Sequence, residues 1–140
     1  MRTKRMLFAG IATVVLFLAT AAVAQKPEEQ AQQSAESWLT LVDAGKYGNS
    51  WQEAASMFKA AVNKEQWEHM LKATRDPLGK VQSRKLVKAT FTKSLPGAPD
   101  GDYVVIQYET SFEHKQAAME TITPALDKDG KWRVSGYFIK

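Results

Sequence analysis

The sequence predicts an α+β fold: three N-terminal helices packed on a curved four-stranded antiparallel sheet, a cone or roll, preceded by a signal peptide. Three observations predict it. Apolar residues recur at helical spacing as far as Thr74, and the period changes to two after Gly79. Short turn-rich gaps then separate the alternating stretches, too short for parallel crossovers, so consecutive strands must run antiparallel.

The leader comes first. Met1 to Arg5 carries three positive charges and no acid, and Met6 to Val23 is uncharged and rich in Leu, Val, Ile, Phe and Ala. The run closes on Ala22-Val23-Ala24, small residues at the positions a signal peptidase reads. Residues 1–24 are therefore expected to be removed, making Gln25 the mature N-terminus and residues 25–140 a single domain. The apolar run is short for a bilayer span and no positively charged stop-transfer cluster follows, so no stable membrane span is expected after cleavage. Export, to the periplasm or beyond, is the expected address.

The first helix carries Ala35, Trp38, Leu39 and Val42 on one face, and Gly45 can take the left-handed conformation that stops it. The second is expected to open with Ser50-Trp51-Gln52-Glu53 as a capping box, with a stripe of Trp51, Ala54, Ala55, Phe58, Ala61 and Val62. Asn63 caps the third, which carries Trp67, Met70, Leu71 and Thr74. Asp76-Pro77-Leu78-Gly79 ends it, because the residue before proline avoids the helical region.

In the first strand Val81, Ser83, Lys85, Val87, Ala89 and Phe91 are expected to share one side. After a turn-rich loop over residues 95–101, Val104, Ile106, Tyr108, Thr110 and Phe112 alternate with Gln107, Glu109 and Ser111. A third strand is expected near Ala117–Leu126. Asp129-Gly130 is a strong hairpin signal, and Trp132, Val134, Gly136 and Phe138 alternate through the last strand.

Composition excludes several chemistries. The chain has 19 basic and 15 acidic residues, and removal of Arg2, Lys4 and Arg5 brings the two nearly level, so net charge gives no case for nucleic acid. With no cysteine there is no disulfide framework, thiolate nucleophile or thiolate metal site, and no acceptor for a lipid anchor. His69 and His114 stand on different elements without metal-ligand spacing. No nucleophile elbow or glycine-rich phosphate cradle is present, so no metal, cofactor or catalytic residue is assigned.

The run Trp38-Leu39 to Gly45-Lys46-Tyr47, then Ser50-Trp51, Pro77-Leu78-Gly79, Ser83-Arg84, Pro99-Asp100-Gly101 and Asp129-Gly130-Lys131-Trp132-Arg133-Val134-Ser135-Gly136-Tyr137 resembles the exported bacterial family known as domain of unknown function 4019. The resemblance spans nearly all of the mature chain and implies no activity. The helix-then-sheet order is also similar to the nuclear-transport-factor-2-like, or cystatin-like, superfold, which speaks to fold alone.

Glu120 is the most informative anomaly. Its register partners on the third strand are Ala118, Ile122 and Leu126, and a carboxylate on an apolar side is costly to bury unless paired. Either it points into the mouth of the cone and meets Tyr108 or Arg84, or it is solvated near a sheet edge. A polar sheet face is expected from Arg84 and Lys88, Gln107 and Glu109, Thr121 and Thr123, and Arg133 and Ser135. Lys72, Arg75, Lys80, Arg84, Lys85, Lys88 and Lys93 stand against the single acid Asp76, a patch able to meet an anionic surface. The tryptophans 38, 51, 67 and 132 are expected mainly in the core, one of them bordering a cavity.

The functional expectation is a small exported binding or protein-interaction module without chemistry of its own. Arg84, Glu109, Glu120 and Arg133 are the polar contacts and Tyr108 and Trp132 the apolar ones, for an unidentified small ligand or protein partner. The competing readings are a cone-fold isomerase or lyase using Glu120 as base, and a structural homodimer built through the sheet.

Overall fold

A computed structural model describes residues 23–140. All but the last two residues of the expected leader lie outside that range. Four helices precede the sheet: α1 (Pro27–Asp43), α2 (Tyr47–Gln52), α3 (Ser56–Ala61) and α4 (Lys64–Arg75), followed by a 3-10 turn at Asp76–Leu78. The strands β1 (Val81–Thr92), β2 (Tyr103–Phe112), β3 (Lys115–Leu126) and β4 (Trp132–Ile139) form one antiparallel sheet in the order β1-β2-β3-β4. The α+β class and the meander are as expected; the helix count is four, not three.

Helix α1 starts on Pro27, which needs no amide partner at the first position, with Glu28 and Glu29 in its first turn where the helix dipole favours negative charge. It stops as expected at Gly45, with φ +73°: Lys46 N–H donates to Leu41 C=O and Gly45 N–H to Val42 C=O, the paired bonds of a Schellman motif. Its buried face is Ala31, Ala35, Trp38, Leu39 and Val42, and it meets all four strands.

The expected second helix is broken in two. Ala55 N–H donates to the Val134 carbonyl of β4 at 2.8 Å, and Ala54 and Ala55 are both buried. That tie draws the chain onto the sheet edge and separates α2 from α3. Ser50 is therefore not a cap. It lies inside α2, where its hydroxyl donates to Tyr47 C=O and accepts from Trp67 Nε1, while its carbonyl accepts from Trp38 Nε1. The capping box stands instead at Asn63 and Gln66, whose side chains each take the other's backbone N–H.

Residues of α1, α4, β2, β3 and β4 make the core: Ala31, Ala35, Trp38, Leu39, Val42, Trp67, Leu71, Val104, Ile106, Tyr108, Ile122 and Val134. Two β-bulges decide what else reaches it. Leu86 pairs with Tyr108 and Lys88 with Gln107, so Val87 is an extra residue and the alternation changes phase there. Arg84 and Leu86 share the inner face with Ala89 and Phe91, and Lys85 and Lys88 the outer. The expected grouping of Ser83 and Lys85 with Ala89, and of Arg84 with Lys88, is thereby corrected. On β4, Thr123 pairs with Gly136 and Pro124 with Val134, leaving Ser135 extra. Tyr137 and Ile139 consequently turn inward, and Phe138 turns outward and is 51% exposed.

Candidate functional site

Glu120 is fully buried, and its solvated alternative is excluded. Its Oε1 accepts from Arg84 Nε at 2.7 Å and Thr110 Oγ1 at 2.5 Å; its Oε2 accepts from Arg84 Nη2 at 3.3 Å and from the Tyr137 hydroxyl. Arg84, anticipated as a partner, is one. Tyr108 is not: although it sits directly opposite Glu120 in the register, its hydroxyl turns to Glu36 at 3.4 Å. Tyr137 fills that place, brought inward by the bulge at Ser135.

The cluster extends into the helices. Arg84 Nη1 and Nη2 reach Asp43 at 2.7 and 3.0 Å, and Arg75 Nη2 reaches the same carboxylate at 2.8 Å. Arg75 Nη1 lies 3.4 Å from the Tyr137 oxygen, and its guanidinium sits 4.9 Å from the centre of the Phe112 ring. Two arginines and two carboxylates thus form a charge-balanced chain joining the ends of α1 and α4 to β1, β3 and β4. Arg75 and Arg84 leave the expected basic patch, because both are spent inside the fold; among the described residues Lys72, Lys80, Lys85, Lys88 and Lys93 remain of it.

Burial pushes the Tyr137 hydroxyl well above its usual range, and the neighbouring Glu120 carboxylate pushes it the same way. For Asp43, burial acts upward but is outweighed by the hydrogen bonds from Arg84 and Arg75, and its carboxyl lies below the ordinary value. A depressed carboxyl stabilises the fold above its unfolded pKa near 4 and loses that contribution as pH falls through the folded value. Urea midpoints should therefore fall below about pH 4, and Asp43→Asn should flatten that fall. Parallel pH profiles for the variant and the wild type would remove Asp43 from the account.

Glu120 lines none of five surface depressions formed by the described residues. With both oxygens saturated and no open face, the carboxylate has no approach for a substrate. A broad depression of about 910 Å³ is lined by Tyr47, Gln52 and His69 together with lysine, glutamate and glycine residues of the α1–α2 corner and α4. A smaller cleft of about 440 Å³ is more apolar. Ser34, Ser37, Trp38 and Leu41, spaced along one face of α1, form one wall, and Lys131, Trp132, Arg133 and Glu53 complete it.

Trp132 is held firmly there. Its backbone carbonyl accepts from Ser34 Oγ at 2.6 Å and its indole N–H donates to Gln30 at 3.2 Å. Arg133 is tied to Asp127 at 3.0 Å and to both oxygens of Asp129 at 2.8 Å, and those hydrogen bonds lower the Asp129 carboxyl to about 2. Of the six expected contact residues, Trp132 and Arg133 meet in this cleft, Arg84 and Glu120 meet in the buried cluster, and Tyr108 is core. Glu109 stands alone, exposed on the outer face opposite Lys85 and Met119.

A family model described as a protein of unknown function, DUF4019, matches residues 34–137. The chain belongs to this family. The DUF4019 match begins at Ser34 and ends at Tyr137, so it takes in every residue of the buried cluster and all those lining the cleft. No curated protein matches the chain.

Proposed function

We propose that the DUF4019 chain is a small exported binding module that performs no chemistry and holds a ligand or partner segment in the cleft between α1 and the start of β4. One observation carries the reading: an anchored, half-buried Trp132 lines, together with Leu41 and the edge of Trp38, a cleft of about 440 Å³ that also takes in Glu53, Lys131 and Arg133. A few hundred cubic ångströms of apolar wall with convergent polar groups is the usual form of a small-ligand site. The closed state of Glu120 weighs against the isomerase or lyase alternative. The leader pattern supports export, and helices followed by a four-stranded meander are compatible with a cystatin-like roll.

The test is native mass spectrometry of protein recovered from the exported fraction, comparing wild type with Trp132→Ala. A small bound mass on the wild type, lost from a folded Trp132→Ala variant, is the expected result. Equal adducts on both proteins, or none on either, would sink the cleft as the binding site. N-terminal sequencing of the same material should begin at Gln25; material that begins at Met1 would overturn the export reading.

A further inference from the structure

Resting on the cleft as the binding site, we infer that its ligand is an organic cation: a flat or branched apolar body carrying one ammonium group, seated on Trp132 with its charge against Glu53. The inference comes from what the lining groups have left to offer. The N–H groups of both indoles are already spent, Trp38 on Ser50 C=O and Trp132 on Gln30, so the rings can present only carbon surface. Ser34 Oγ is committed to the Trp132 carbonyl, and Arg133 is committed to Asp127 and Asp129. Among the described residues this leaves Ser37, the Glu53 carboxylate and the Lys131 ammonium without a side-chain partner.

Glu53 is the better placed of the two charges. It lines both the cleft and an adjoining depression of about 400 Å³, which also share Arg133, so it stands where the apolar cleft opens into a polar one. Its backbone is fixed, because Glu53 N–H closes α2 on Asn49 C=O and Ala55, two residues on, is bonded to β4. Indole faces carry a negative quadrupole and attract cations. The half-buried Trp132 ring and one free carboxylate therefore favour the same ligand charge. Lys131 opposes it from the rim, where its backbone N–H is held by Asp129. Its removal should strengthen binding, which separates charge recognition from general stickiness.

The experiment is a titration of the full-length mature protein, followed by tryptophan fluorescence and by shifts of the indole N–H resonances. The probes are phenethylammonium, its neutral isostere 2-phenylethanol, and 3-phenylpropionate. The cation should bind about fivefold to tenfold more tightly than the alcohol and the anion most weakly, as a carboxylate and an indole face acting together predict. Glu53→Gln should cut the advantage of the cation to about twofold, the share left to the Trp132 face, while leaving the alcohol unchanged, and Lys131→Ala should raise cation affinity a few-fold. Equal binding of cation and alcohol with Trp132 perturbed, or a Glu53→Gln variant that keeps the full preference, overturns the cation assignment and leaves the cleft standing. No response of Trp132 to any probe overturns both.

Discussion

Replacing Glu120 with alanine should cost about 3–5 kcal/mol of folding stability, the range found when one member of a buried ion pair is removed. The reason lies less in lost attraction than in what stays behind. Arg84 would keep only Asp43 as a counter-charge, Asp43 would be shared with Arg75, and a net positive charge would remain inside the fold. Thr110 and Tyr137 would also lose their acceptor. Domains of this size are stable by only about 5–15 kcal/mol, so a large part of the total is at stake. Glu120→Gln keeps the shape but not the charge and should recover little. By contrast, pairing Glu120→Leu with Arg84→Met should cost less than Glu120→Leu alone, since apolar replacement of both partners removes the stranded charge. Urea midpoints of the four variants decide it. A Glu120→Ala loss below about 1 kcal/mol, as at an ordinary surface site, would show that the cluster does not hold the fold together.

Much of this was legible in the sequence, and the illegible parts have physical causes. Period, caps and turn residues act locally, so the α1 face, the Asn63 cap, the clean alternation of β2 and the Asp129-Gly130 hairpin could be read directly. The anomaly at Glu120 is visible because one carboxylate interrupts an apolar side; of the two partners the sequence suggests, Arg84 binds it and Tyr108 does not. The bulges at Val87 and Ser135 were not readable, because an extra residue in a strand leaves no local signal when its neighbours suit either face. The faces of β1 and β4 therefore differ from those that strict alternation predicts, and nothing local marks Tyr137 as an inward residue. Asp43 did leave a trace: a carboxylate in the last turn of α1 is disfavoured by the helix dipole, with no basic residue beside it in that turn. Such a charge asks for a partner elsewhere. Arg75, at the end of α4 where a cation is favourable, gave no such hint. The break between α2 and α3 came from a backbone bond to β4, a long-range tie that helical spacing cannot contain.

The second large effect is expected at Trp38, where core, cluster and cleft share one side chain. Its ring is 3% exposed, packs edge-on against Tyr137 at 5.2 Å between centres, and lies 6.1 Å from Trp67. Its N–H supplies a partner for the buried Ser50 carbonyl, and Ser50 Oγ in turn receives the Trp67 N–H. Trp38→Ala removes all of this at once and should cost about 3–5 kcal/mol, the usual range for emptying a large aromatic site. Trp38→Phe retains most of the packing but leaves the Ser50 carbonyl without its indole donor, which should cost about 1–3 kcal/mol. Because Trp38 and Trp67 meet through Ser50 and through their rings, the double alanine variant should be less destabilised than the two single losses added together. Strict additivity would separate the two rings energetically and deny Ser50 its role as the joint between α2 and the core. The phenylalanine variant also bears on binding. It keeps the carbon wall beside Leu41, so a cleft that works through apolar surface and the Glu53 charge should hold a cationic ligand nearly as well as before, even while the fold is measurably weaker.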